Sequence, residues 1–329
     1  MSQKKIGYLG AGTWGFALSA LLGDKGHEVV VWARDPALAA ELEKSRAHPH
    51  LTGGFAPPTV RFTASLDEAV QGADAIVESV TSSGIRPVFE RLGPVGVPVI
   101  LTSKGIEQGS RLLLPEVVSE FVPKELVGIL SGPSLADEVV KHLPTSVVCS
   151  AYDPAVMKLI HELFVTPHFR IYPNEDIDGV AFGGAMKNII AIACGISDGL
   201  GGGDNAKAAL MTRGLHEMRK LGTAKGCAPE TLNGLSGMGD LSVTCMSQSS
   251  RNYRFGRLIA EGFSPEGARQ KIGMAVEGAY TCVAARELGA KHGIPLPITE
   301  VTYAIIYDGL DPRQAVRALL QRAIKEEHL

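Results

Sequence analysis

Lys187 is the one formal charge in the stretch VAFGGAMKNIIAIACGIS, Val180 to Ser197. Everything else there is apolar, small or neutral, the composition of a buried helix. A buried ammonium is costly unless it is paired. An amine whose pKa is brought down towards neutrality by burial can give and take a proton. Gly183, Gly184 and Ala185 precede it. These small residues at a helix start are expected to leave room for small molecules to approach.

A second chemical signal lies near the N-terminus. Gly10, Gly12 and Gly15 form G-x-G-x-x-G between a strand-like run and a helical one, and a second strand then ends at Ala33-Arg34-Asp35. In that context the glycines read as a dinucleotide fingerprint. Gly10 permits the tight turn, Gly12 lets backbone N–H groups approach a pyrophosphate, and Gly15 allows close helix–strand packing. Thr13 and Trp14 would flank the phosphates. At the end of the second strand an acid favours NAD, and an arginine accommodates the 2′-phosphate of NADP. Arg34 could bind that phosphate or stack on adenine, and Asp35 could cap the next helix. The pair leaves NAD and NADP open, with a lean to NADP or both.

Polar clusters recur at predicted strand ends, where ligands of doubly wound sheets sit. VILTSKG places Lys104 just after a strand, as a ligand contact or a solvated loop lysine. VGILSGPSLADE places Gly132, Ser134 and Ala136 at a strand-to-helix turn, where N–H groups and a hydroxyl can meet an anion. Ser134 could instead be a helix N-cap. Farther on, GLSGMGDLSVTC holds Asp240, and SQSSRNYRFGR holds Ser250, Arg251, Asn252, Arg254 and Arg257. Arg, Asn and Ser all donate to oxygen and suit a phosphate clamp. The alternative is a capped, solvated helix start.

The elements that must position these residues fall into two kinds. Short β-branched runs (KIGYLG, EVVVWA, VRFT, DAIVESV, PVILTS, LVGILS, TSVVCS and HFRIYPN) alternate with helical stretches such as FALSALLGDKG and LLPEVVSEFV. This predicts an α/β Rossmann-type, doubly wound, mostly parallel sheet. From about Val180 the segments read as helices only, with Ser264-Pro265 and Asp311-Pro312 as helix starts. The expectation is a dinucleotide-binding domain at residues 1–180 and an all-α substrate and catalytic domain at 181–329.

Composition narrows the classes further. A chain of 329 residues with 45% hydrophobic and 20% charged residues can bury a sizeable core without staples. Its net charge of -3 argues against nucleic acid as a partner. The five cysteines are scattered without a C-x-x-C pair, so neither a disulfide framework nor a zinc site is expected, and a reducing cytoplasm fits. His48 and His50 are close but lack further ligands, so no metal is expected. No apolar run of about 18 residues suggests membrane insertion. The apolar C-terminal helices could form a homodimer interface.

Taken together, the motifs resemble bacterial-type NAD(P)-dependent glycerol-3-phosphate dehydrogenase. GAGTWG, TSKGIE, SGPSLADE, GGAMKNIIAIACGISDG, ALMTRGL, GMGDL, SRNYRFG, VEG and LPITE occur in order through nearly the whole chain. The resemblance implies interconversion of sn-glycerol 3-phosphate and dihydroxyacetone phosphate with NAD or NADP, chiefly for phospholipid synthesis. It implies Lys187 as the proton acceptor in alcohol oxidation. It implies Lys104, Gly132, Ser134, Asp240, Ser250, Arg251 and Asn252 as substrate contacts. Thr13, Trp14, Arg34, Lys104, Ala136, Arg251, Ala275 and Glu277 are implied as cofactor contacts. Asp240 is expected to orient Lys187, and Asn188 to bond the substrate or hold the lysine. Asp198, eleven residues on, is roughly 16 Å away along a helix and too far to pair with it.

Two segments depart from the family. IVESVTSSG stands where the family commonly has an apolar segment with a proline, and Glu78 is its oddest residue. That carboxylate could touch the cofactor region or pair with a lysine, so no contacts are carried over for Glu78 to Ser82. LTGGFAPP is also a weak match. Two alternatives stand beside this resemblance. One is another two-domain hydroxyacid dehydrogenase, of the 3-hydroxyisobutyrate or 6-phosphogluconate type. The other is a non-catalytic dinucleotide sensor, which would have no need of a charged Lys187.

Overall fold

The computed structural model describes residues 2–321. The β-branched runs form one eight-stranded sheet: β1 (Lys5–Leu9), β2 (Glu28–Trp32), β3 (Val60–Thr63), β4 (Ala75–Glu78), β5 (Val99–Leu101), β6 (Val127–Ser131), β7 (Thr145–Ala151) and β8 (Phe169–Pro173). Seven fall within a segment that the sequence marks as a strand, and β7 runs one residue past its segment, to Ala151. Their order is β3-β2-β1-β4-β5-β6-β7-β8, and only the β6–β7 pairing is antiparallel. The central strands of the parallel stretch are buried on both faces, which is why they read as nearly unbroken apolar runs, while the edge strand β3 alternates. Strand order reverses between β1 and β4, so the ends of β1, β2, β4, β5 and β6 open onto one crevice. Motifs about 120 residues apart in sequence meet there for that reason.

Every described element after β8 is helical. The centrepiece is the core helix, Ile177–Gly199, whose first turn is capped by Asp176 accepting from Gly179 N at 2.8 Å. It starts three residues before the change of character seen at Val180. Its length and mean hydropathy of 1.5 would suit a membrane span, but 94% of that window is buried inside the protein. Its apolarity is that of a core helix. One hydrophobic cluster runs from β1, β5 and β6 through Val180, Ile189 and Ile190 to Leu241 and Leu288, joining sheet and helices.

Close packing explains several glycines. A Cβ on Gly195 would stand 2.0 Å from Tyr253 O, and one on Gly256 2.1 Å from Ile192 O, so the Arg251–Ala260 helix crosses the core helix backbone to backbone. Gly183 and Gly184 correct an expectation. They are in the helix's second turn and face protein: Cβ atoms there would meet Ser236 O and Ser131 Oγ, each at 2.8 Å. The space their missing side chains leave is filled by the chain and is not ligand room.

Ser264 and Asp311 cap their helices as expected, accepting from Gly267 N and from Arg313 and Gln314 N. One helical expectation shortens. LLPEVVSEFV yields a helix only over Leu114–Val118, with turns before Pro123. The last helix is seen at Pro312–Leu320; the helical segment DPRQAVRALLQRAIKEE is expected to run on to residue 327, and its part from 322 lies outside the described residues.

Candidate active site

The core helix brings Lys187 under the sheet edge, 6% exposed. Its Nζ donates to Asp240 Oδ1 at 2.5 Å and to Thr244 Oγ1 at 2.7 Å. Lys104, on the loop after β5, donates to the other oxygen, Asp240 Oδ2, at 2.5 Å and to Gly132 O at 3.1 Å. One buried carboxylate thus bridges two lysines, one from the sheet edge and one from the helical half. Asp240 is placed by a π-helical turn, Leu235–Gly239, that leads into the Asp240–Met246 helix. Thr244 is one helical turn beyond Asp240 and passes its own proton to Asp240 O at 2.6 Å.

Burial pulls the Lys187 amine down from its ordinary 10.5 to about 8; Asp240 opposes that fall and the Lys104 ammonium adds to it. An ammonium has three N–H bonds, and two are committed here. The third is committed to no hydrogen-bond partner among the described residues. Carried by two lysines and one aspartate, the cluster has a net positive charge when both amines are protonated, which suits an anionic substrate.

The other residues singled out from sequence fall on the same edge with different roles. Gly132, at φ +135°, accepts from Ser134 Oγ at 2.9 Å as well as from Lys104. Ser134 is therefore not a helix cap; Leu135 occupies that position before the short Ala136–Val139 helix. Ser250 caps its helix, accepting from Tyr253 N at 3.3 Å. Asn252 is committed on both sides, donating to Asn188 Oδ1 and accepting from Gly278 N, each at 2.9 Å. Asn188 consequently holds Asn252 and not Lys187. Arg251 is partly buried and faces Glu277, with no hydrogen-bond partner among the described residues. Arg254 is exposed, and Arg257 pairs with Glu261 at 3.7 Å. Asp198 pairs with Lys207 and Tyr253, each at 2.5 Å, and takes no part in the cluster.

The glycine turn at β1 is open where a pyrophosphate would need it to be. Gly10 has φ +107°, which favours glycine. A Cβ on Gly12 would meet nothing within 4 Å, whereas one on Gly15 would strike Gly10 O at 2.0 Å. The Thr13–Asp24 helix has no side-chain cap, so its first N–H groups face outward, flanked by partly buried Thr13 and Trp14. Asp35 caps the Pro36–Ser45 helix through Ala37 N at 2.9 Å, leaving Arg34 exposed beside the crevice. Ala275 and Glu277 close the far side, and Glu277 accepts from Ser82 N at 3.2 Å and from Ser82 Oγ. Thr244 and Ser82 were not singled out from sequence. The i,i+4 spacing of Asp240 and Thr244 was the available signal for the first. No three or more His, Cys, Asp or Glu are grouped to hold a metal ion among the described residues.

Family models named for the N-terminus and C-terminus of NAD-dependent glycerol-3-phosphate dehydrogenase match residues 5–157 and 176–317. The chain belongs to that family. A relative named glycerol-3-phosphate dehydrogenase [NAD(P)+] from Protochlamydia amoebophila (strain UWE25) is 57% identical over 99% of this chain and 100% of its own. One of the same name from Chlamydia muridarum (strain MoPn / Nigg) is 52% identical over the same shares. A crystal structure of glycerol-3-phosphate dehydrogenase from Coxiella burnetii superposes with a TM-score of 0.93 at 39% identity, covering 97% of this chain and 99% of that one.

Proposed function

We propose that the chain is an NAD(P)-dependent glycerol-3-phosphate dehydrogenase that interconverts sn-glycerol 3-phosphate and dihydroxyacetone phosphate and supplies glycerol 3-phosphate for phospholipid synthesis. The observation that carries this reading is the buried Lys187–Asp240–Lys104 bridge at the end of a dinucleotide crevice. Gly10, Gly12 and Gly15, with Thr13 and Trp14, would hold the pyrophosphate of NAD or NADP, and Arg34 would meet its adenosine end. Ala136, Ala275, Glu277, Lys104 and Arg251 complete that site. The bound cofactor supplies a hydride acceptor or donor.

The chain's own residues handle the proton and the charge. In the oxidation direction neutral Lys187 takes the hydroxyl proton; in reduction the ammonium returns it to the forming alkoxide. Asp240 and Thr244 fix the amine's direction, and Lys104 keeps a positive charge beside it. Arg251 binds the substrate phosphate, with Ser250 and Asn252 holding the start of its helix in place. Gly132 and Ser134 shape the wall opposite, through their contacts with Lys104 and each other. The domain division at residue 180, a cytoplasmic location and a homodimer through the C-terminal helices belong to the same proposal. All five cysteines are free and buried, which supports a reducing compartment.

The test is to mix the chain with NADPH or NADH and dihydroxyacetone phosphate and follow nicotinamide absorbance. Oxidation that requires both reactants is expected. Cofactor binding with no turnover of this substrate would contradict the proposal.

A further inference from the structure

Glu78 ends β4 with its side chain wholly buried. It forms no ion pair among the described residues, so the lysine partner conceivable from sequence is not found. Its Oε1 lies 2.5 Å from Val80 N and 2.7 Å from Ser103 Oγ, while Oε2 has no hydrogen-bond partner. The charged or titratable groups facing it are Glu277, from the Glu277–His292 helix, and Tyr8, from β1; Arg251 acts on Glu277 and not on Glu78. A bare carboxylate here would be buried, half unsatisfied and opposite a second acid.

Counting protons sharpens the point. Ser103 Oγ is also 2.5 Å from Val80 O. A hydroxyl has one proton to give. If Ser103 gives it to the Val80 carbonyl, the bond between Ser103 and Glu78 needs a proton from Glu78. The same turn is tied elsewhere: Ser79 Oγ contacts Tyr8 Oη at 2.7 Å and Thr102 Oγ1 at 2.6 Å, and Ser82 reaches Glu277. It also backs onto the glycine turn, since a Cβ on Gly10 would meet Ser79 O at 2.8 Å.

We propose that Glu78 is a positioning residue that works as the neutral acid: it donates to Ser103 Oγ, accepts from Val80 N, and holds the Ser79–Ser82 turn where Ser82 can bind Glu277 across the cofactor crevice. Losing its proton places two negative charges in one buried seam, loosens the turn and weakens cofactor binding. Burial supports this by raising the Glu78 carboxyl to about 8, with Glu277 adding to the rise. The inference rests on the reading of the crevice as a dinucleotide site.

The experiment measures NADPH binding by its fluorescence, without substrate, from pH 7 to 9. Wild type should weaken by about tenfold with a midpoint near 8, because a required proton costs one decade per pH unit above its pKa. Glu78→Gln, which cannot titrate, should vary by no more than about twofold over that range. Ser82→Ala, which removes the hydroxyl bond to Glu277 and leaves the Ser82 N–H one, should bind more weakly at pH 7 and show a reduced pH dependence. A flat wild-type profile overturns the inference, as does a full wild-type slope in Glu78→Gln. If Glu78→Gln does not fold, a full slope in Ser82→Ala does the same. Failure of wild type to bind either NADPH or NADH at pH 7 overturns the dinucleotide reading and this inference with it. Binding at pH 7 with an unchanged slope in the variants overturns the role of Glu78 alone.

Discussion

Lys187 Nζ lies 2.5 Å from Asp240 Oδ1 across 53 residues of sequence, and Lys104 holds the other oxygen of the same carboxylate. The lone charge of an apolar helix is thereby paired, and its partner also fastens the helix to the sheet edge. Replacing Asp240 by Asn removes the charge that opposes the fall in the lysine's pKa. The pH midpoint for glycerol 3-phosphate oxidation is expected to drop below the wild-type value, together with kcat. A pH–rate profile of Asp240→Asn against wild type checks this, and an unchanged midpoint counts against the pairing.

The direction of reaction fixes the sign of the wild-type pH dependence. With the amine at about 8, neutral Lys187 accumulates above that pH and the ammonium below it. Oxidation should therefore rise through about pH 8 while reduction falls through it. Measuring kcat in both directions across that range tests the assignment, which cannot survive parallel profiles.

Of Arg251, Arg254 and Arg257, Arg251 is the one that is partly buried and without an ion pair among the described residues, so it is the one assigned to a phosphate. Arg251→Ala should cost about 2 kcal/mol of substrate binding, or about thirtyfold in kcat/KM. Glycerol itself, which lacks the phosphate, should be a poor substrate for both proteins and show little difference between them. An unchanged kcat/KM for the phosphorylated substrate speaks against the clamp.

Glu217 makes a structural prediction away from the crevice. It is buried on the Gly203–Ala224 helix and accepts from Ile298 N at 2.5 Å, Thr299 N at 3.2 Å and Thr299 Oγ1 at 3.0 Å, capping another helix. Glu217→Ala should destabilise the fold by about 2 kcal/mol through orphaned donors. Burial raises this carboxyl from 4.5 to about 7. The folded chain then holds its proton to higher pH than the unfolded chain. Between those values stability should decline as pH rises, and level off above about 7. Denaturant titrations at several pH values should find that part of the slope missing in Glu217→Ala.

Much of this was legible in the sequence because it is periodic or local. The eight strands announce themselves as β-branched runs, the glycine turn sits between two elements that define it, and Ser264 and Asp311 cap helices within three residues. That Lys187 needs a counter-charge is legible from composition; that Asp240 supplies it is not, and that choice follows the resemblance. The bridge through Lys104 was not legible either: it depends on how the end of β5 meets a π-helical turn 136 residues later. Gly183 and Gly184 misled for a related reason. A glycine records that something approaches closely, but the sequence does not say whether that is a ligand or, as here, Ser236 and Ser131. Ser250 and Asn252 read as ligand donors by type; each also serves the helices around it, which leaves the Ser250 hydroxyl proton and one Asn252 N–H for a ligand.

The central claim is that Lys187 carries the proton in an alcohol dehydrogenation. The most direct test is Lys187→Ala, with NAD(P)H binding and turnover of dihydroxyacetone phosphate measured separately on the same preparation. Cofactor affinity should stay within about threefold of wild type while kcat falls by about 10²–10⁴-fold, the usual loss with a general acid–base group. Turnover close to wild type with intact cofactor binding would contradict the account.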